Sequence, residues 1–266
     1  MGNMKKRMAI LAASMMVGVM AIGSTMAYFT EKEVVTNKFT LGDLDLGLNE
    51  NEWDPKDPDN GDDGGDGKNM YPGYTVYKNP TVKNITSPIK GEEPCYARMI
   101  VEIQDHNGNL ITDQNAIDLI MQTIRYDASY NGSFEAKGSA TGLVEGKIPG
   151  YSLSDIAAFS TVNPDFKKDT TRSTNNRLVY NYMGDANDGI LKIGEQSTLF
   201  TNIVIPTDWN QTQLQTIKGF QLKVTVEGIQ SKGFATQADA YNALDSEIAA
   251  GTIQTIDRTA NPDTRS

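Results

Sequence analysis

The sequence predicts an all-β chain with a few short helices, an antiparallel β-sandwich. Two observations carry this. Apolar and polar residues alternate at a period of two over short runs, most cleanly over residues 96–104 and 220–228, which is the pattern of strands with one buried face. Between the runs, Gly, Asn, Asp and Thr gather as turn residues, so each strand is brief and folds back on its neighbour.

The chain opens with Lys5-Lys6-Arg7, runs from Met8 to Met26 without a charge, and has small residues at Thr25 and Ala27. A basic start, an apolar stretch and a small-residue boundary predict a secretory signal peptide over residues 1–27, cut between Ala27 and Tyr28. Left uncut, the same run is about long enough, at roughly 20 residues, to anchor the chain in a bilayer. Either way the basic cluster stays inside and the rest crosses. The expected location is the extracellular matrix or the cell surface, with membrane contact only through an uncleaved signal peptide.

A folded domain is expected over residues 28–250 and a flexible tail over 251–266. Val34, Phe39 and Leu41, then Leu44, Leu46 and Leu48, give two short strands parted by Gly42-Asp43. Residues 50–70 read as a loop in which Asp54, Asp57, Asp59, Asp62, Asp63 and Asp66 crowd together. A calcium loop would use such oxygens, but from Asp62 the EF-hand register puts Gly64 and Gly73 where ligands belong. The competing reading is a solvated, self-repelling segment.

Residues 74–77 and 81–85 are β-like. Pro80 lacks an N–H, so the second strand lies at an edge, at a bulge, or starts there. Across residues 96–104, Ala97, Met99, Val101 and Ile103 form the core face, with Tyr96, Arg98, Ile100, Glu102 and Gln104 on the other. The Asn107-Gly108 turn that follows puts His106 at an exposed hairpin tip. Asp113 caps a helix whose apolar positions are Ile117, Ile120, Met121 and Ile124.

A helical turn is expected around 154–159, a strand over 178–183, paired strands between Leu191 and Ile205, and a short helix from Asp208 carrying Leu214 and Ile217. In the last strand Phe220, Leu222, Val224, Val226 and Gly228 face one way, and Gln221, Lys223, Thr225 and Glu227 the other. Thr236 and Asp239 then have capping-box spacing before a helix striped by Ala240, Ala243, Leu244 and Ile248.

Composition removes whole function classes. Lys+Arg 24 against Asp+Glu 34 gives a net charge of −10, and without the three basic residues of the signal peptide 21 basic groups face 34 acidic ones, −13. Such a field repels nucleic acid. His106 is the single histidine and Cys95 the single cysteine, so no two-histidine metal clamp, cysteine zinc site or internal disulfide is available. His-Glu-x-x-His, Gly-x-Ser-x-Gly and phosphate-loop patterns are all missing. No catalytic, cofactor or metal residue is therefore assigned. Cys95, at a strand start after Pro94, reads as a buried small hydrophobe.

The residues following the cleavage boundary resemble the TasA/camelysin family of secreted proteins. The resembling pieces are Ala27-Tyr28-Phe29-Thr30, the run Asn37–Leu46, Tyr71-Pro72-Gly73, Lys78–Asn84 and the strand Cys95–Ile103. Residues 229–236 and the helix beyond them are also similar to the ending of many members. The resemblance implies cleavage by a SipW-type signal peptidase. It further implies a jelly-roll subunit whose N-terminal strand complements the next subunit in a biofilm fibre. Its partners would then be copies of itself or similar matrix subunits.

The segment Tyr28–Thr40 fits that role, with Tyr28, Phe29, Val34, Val35 and Phe39 as the assembly strand. Read without the resemblance, the segment is equally an edge strand within its own chain. A monomeric surface module for calcium, glycan or a host ligand, with loop 50–70 as the contact, is the alternative function. A secreted metallopeptidase of camelysin type ranks last, for want of residues to carry it.

Overall fold

The computed structural model describes residues 30–38, 46–49, 71–86, 94–128, 152–184, 186–251 and 256–257. The elements there are β1 (Thr30–Lys38), β2 (Leu46–Asn49), β3 (Thr75–Tyr77), β4 (Thr81–Asn84), β5 (Cys95–Gln104), α1 (Gln114–Thr123) and β6 (Ile124–Arg125). Then come α2 (Leu153–Ile156), β7 (Phe166–Lys168), β8 (Arg177–Tyr182), β9 (Ile190–Leu191), β10 (Gln196–Thr198), β11 (Asn202–Val204), α3 (Gln211–Thr216), β12 (Gln221–Gln230), α4 (Gln237–Ala250) and β13 (Ile256–Asp257). The class is the one expected: strands, nearly all paired antiparallel, with a few short helices. A jelly-roll path remains what the resemblance implies.

The two cleanest alternating runs form the spine. β5 and β12 pair antiparallel along ten residues, from Gln221↔Gln104 to Gln230↔Cys95. They sit inside a seven-stranded sheet of order β13-β1-β12-β5-β8-β7, with β9 also on β5. Two three-stranded sheets, β10-β4-β2 and β3-β11-β6, complete the β structure. The core face expected for β5 is correct: Ala97, Met99, Val101 and Ile103 are buried with Leu178 and Tyr180 of β8 and Leu222, Val224 and Val226 of β12. Leu46 of β2, Val82 of β4 and Ile203 of β11 close the same core from the small sheets.

Helix ends follow their side-chain signals. Asp113 caps α1 by accepting from the Asn115 N–H, and α1 buries Ile117 and Ile120 as its spacing requires. Thr236 caps α4 by accepting from the Asp239 N–H, and Gly251 ends it in a left-handed conformation at φ 68°. The short helix expected from Asp208 is capped two residues later, by an Asn210–Gln213 capping box. Pro80 immediately precedes β4, the central strand of its sheet, so the missing N–H is tolerated because the strand starts after it.

The polar-patterned face of β5 is not a solvent face: Arg98 is 3% exposed and Ile100 is 2% exposed. α4 lies across this side, packing Ala240, Tyr241 and Leu244 against Tyr96 of β5 and Ile229 of β12. The alternation assigned the core face rightly but could not show that a helix from the end of the chain covers the other.

Candidate assembly interface

β1, the strand expected to mediate assembly, lies beside β12 of its own chain. The ladder is antiparallel, with Thr30↔Ile229, Glu31↔Gly228, Lys32↔Glu227, Glu33↔Val226 and Val34↔Thr225. On its far side β1 pairs parallel with β13, Glu33 opposite Ile256 and Val34 opposite Asp257. The own-chain reading of this segment is thus the arrangement of the single chain. Of the assigned assembly residues, Val34 and Val35 fall on β1. Tyr28, Phe29, Phe39, the Ala27–Tyr28 cleavage point and the acidic loop 50–70 lie outside the described residues.

The seat for this strand is built with little spare space. Gly228 of β12 stands opposite Glu31, and a Cβ there would collide with Leu46 Cδ1 and come within 3.3 Å of the Tyr96 carbonyl. Glycine is the residue that lets β2 close over β12 at this point.

Above the seat lies a network that the sequence reading missed. Glu227, 0% exposed, accepts from Arg98 Nε at 2.8 Å and pairs with its Nη2 at 2.6 Å. Arg98 Nη2 also donates to Asp245 of α4 at 2.6 Å. Arg172 Nε donates to the other Asp245 oxygen at 2.6 Å, and Arg172 Nη1 to Asp169 at 2.9 Å. The Tyr241 ring lies within 5.3 Å of the Arg98 guanidinium and 5.9 Å of the Arg172 guanidinium. Its hydroxyl donates to the Ala97 carbonyl at 2.7 Å. The available signal was weak: Arg98 and Glu227 sit on the polar faces of two strands, and their partnership is visible only once β5 and β12 are aligned.

Electrostatics holds the network charged. Burial works against the Arg98 cation, but the charges and hydrogen bonds of Glu227 and Asp245 outweigh it and its pKa rises. Burial pushes Asp245 up, yet hydrogen bonds from Arg172 and Arg98 bring it below the ordinary carboxylate value of 3.8. Asp169 behaves likewise, with Arg172 and Asn181 as its donors. Burial raises the Tyr241 phenol far out of the physiological range, so it stays a donor.

A carboxylate whose pKa falls on folding adds stability that is present above its unfolded pKa and is lost as pH drops through the folded one. Stability should therefore hold through neutral pH and fall below about pH 4. Asp245→Asn should lower it at neutral pH and flatten that acid limb, as read by thermal melts against pH. An unchanged acid limb would contradict the assignment.

Residues 3–90 match the family model described as camelysin metallo-endopeptidase. The matched stretch is the first third of the chain, and it agrees with the resemblance read from the sequence. The match takes in β1 to β4 but not β12. No curated protein and no solved structure matches the chain.

Among the described residues, the metal that the family's description implies finds no donor set. His106 is exposed at its turn, where the neighbouring Asp105 accepts from the Asn107 and Asn109 N–H groups. Cys95 is buried, its sulfur 3.5 Å from Asn84 Nδ2. Glu227, Asp245 and Asp169 are each engaged by arginine. Among the described residues no three His, Cys, Asp or Glu side chains are grouped to hold an ion. These described residues do not fit a zinc centre, which needs three or four convergent ligands. Also among the described residues, no helix is long and apolar enough to cross a membrane.

Proposed function

We propose that this chain is a secreted structural subunit of an extracellular matrix. It assembles into fibres when the N-terminal strand of one copy takes the place beside β12 of the next. The observation that supports this reading is the position of β1. It is held by a main-chain ladder at the end of the sequence from which a signal peptide would have been removed. A backbone ladder binds any strand that offers the same N–H and C=O groups, whether from the same chain or another. The pairing in the single chain is then the closed form, and exchange between copies the open one. Passed from copy to copy, a heterologous contact of this kind makes a filament.

In this reading export and cleavage between Ala27 and Tyr28 by a SipW-type peptidase free the strand, and the protein carries no catalytic site. The partners are copies of the chain or similar matrix subunits. Comparing the chain from Tyr28 onward with one lacking residues 28–40, by light scattering and electron microscopy, tests it. Fibres from the longer chain alone are expected. Fibres from both would refute assembly through this strand.

A further inference from the structure

Backbone bonds alone do not tell a strand where to stop along an edge. A slip of one residue preserves the ladder while turning every side chain to the opposite face. A seat that takes strands from other copies therefore needs a mark that selects one register. We infer that Glu31-Lys32-Glu33 is that mark and that Glu227 reads it. The inference rests on the assembly reading above, since its partner is residues 30–38 of a second copy.

The cross-sheet register supplies the argument. Lys32 of β1 stands opposite Glu227, Glu227 opposite Arg98, Arg98 opposite Asn181 and Asn181 opposite Lys167. These five positions make one row on the face covered by α4. The network around the middle of that row contains two arginines, Arg98 and Arg172, and three carboxylates, Glu227, Asp245 and Asp169. The register of β1 puts a lysine position next to Glu227, the buried carboxylate of that network.

The residues on either side of Lys32 penalise the alternatives. A one-residue slip in either direction places Glu31 or Glu33 opposite Glu227, carboxylate against carboxylate at a position that is 0% exposed. Like charges directly opposed across strands are destabilising, and more so where water is excluded. A two-residue slip keeps the faces but offers Thr30 or Val34, neither of which has a charge to give. Among these registers only the one in the structure puts a lysine position opposite Glu227. The Glu-Lys-Glu triplet thus combines one attractive position with two repulsive neighbours, which is how paired strands gain specificity as well as affinity.

The test uses the chain from Tyr28 onward carrying Lys32→Met, Glu227→Gln, both, or Lys167→Met. The last removes an exposed lysine from the far end of the same row. Amide hydrogen exchange over residues 30–38 reads the pairing in the single chain, and light scattering reads fibre elongation. Lys32→Met is expected to speed exchange and slow elongation by on the order of tenfold when Glu227 is present, and by far less in the Glu227→Gln background. Lys167→Met should change neither. An effect of Lys32→Met equal to that of Lys167→Met, or equal in both Glu227 backgrounds, overturns the inference. Coupling in the exchange data with no fibres from the parent chain overturns the second copy as partner. That outcome places the fault in the assembly reading and not in the pairing.

Discussion

Glu227→Ala is expected to lower the unfolding free energy by about 3–5 kcal/mol, one of the largest effects any single substitution in this chain should have. The reason lies in what is left behind rather than in the worth of the pair. Arg98 is 3% exposed and cannot turn to water when its partner goes. Asp245 remains bonded to it, but the Asp245 side chain is 41% exposed and is shared with Arg172, so it compensates only partly. The lower end of the range is therefore the expected value. Glu227→Gln, which keeps an acceptor oxygen near Arg98, should cost less. Removing Arg98 and Glu227 together for apolar residues of similar size should cost less than the sum of the single changes, since no uncompensated charge is left. Denaturant titration of the parent chain, Glu227→Ala, Glu227→Gln, each single apolar replacement and the double one checks this. A loss below about 1 kcal/mol for Glu227→Ala would place the pair among exposed ion pairs and contradict its role under α4.

That network explains why the sequence reveals the strands better than the interface. Alternation in β5 and β12 is a local property, so it identified both strands and the core face carrying Met99, Val101, Val224 and Val226. Capping chemistry is equally local, which is why Asp113 and Thr236 could be placed at helix starts. Pairing between β5 and β12 is separated by more than a hundred residues, and nothing local to Arg98 announces Glu227. The environment of the outer face is therefore not legible in the sequence: the polar residues on it do not announce which element covers them. α4 covers them here, and its Tyr241 and Asp245, one helical turn apart, meet Arg98 from above.

The N-terminal segment shows the same limit from the other side. Its β character was legible in Val34 and Val35, and the choice between pairing at home and pairing abroad was not, because both use the same backbone bonds. The structure gives the home pairing and, with it, the register. The register is what turns Glu31, Lys32 and Glu33 from three successive charges in the sequence into residues with distinct positions relative to a buried carboxylate.

The claim that the seat beside β12 accepts a neighbour's strand has an all-or-none consequence. Val34 and Thr225 are direct partners in the ladder, and opposed Cα atoms in an antiparallel pair lie about 4.5–5.5 Å apart, within disulfide reach. One chain carries Val34→Cys, another carries Thr225→Cys, and the native Cys95 is buried at 0% exposure in both. Fibres are grown from an equal mixture, oxidised and resolved without reductant. The account predicts covalent dimers joining one chain of each kind. Fibres that yield no such dimers, while a chain bearing both cysteines closes onto itself, would contradict it.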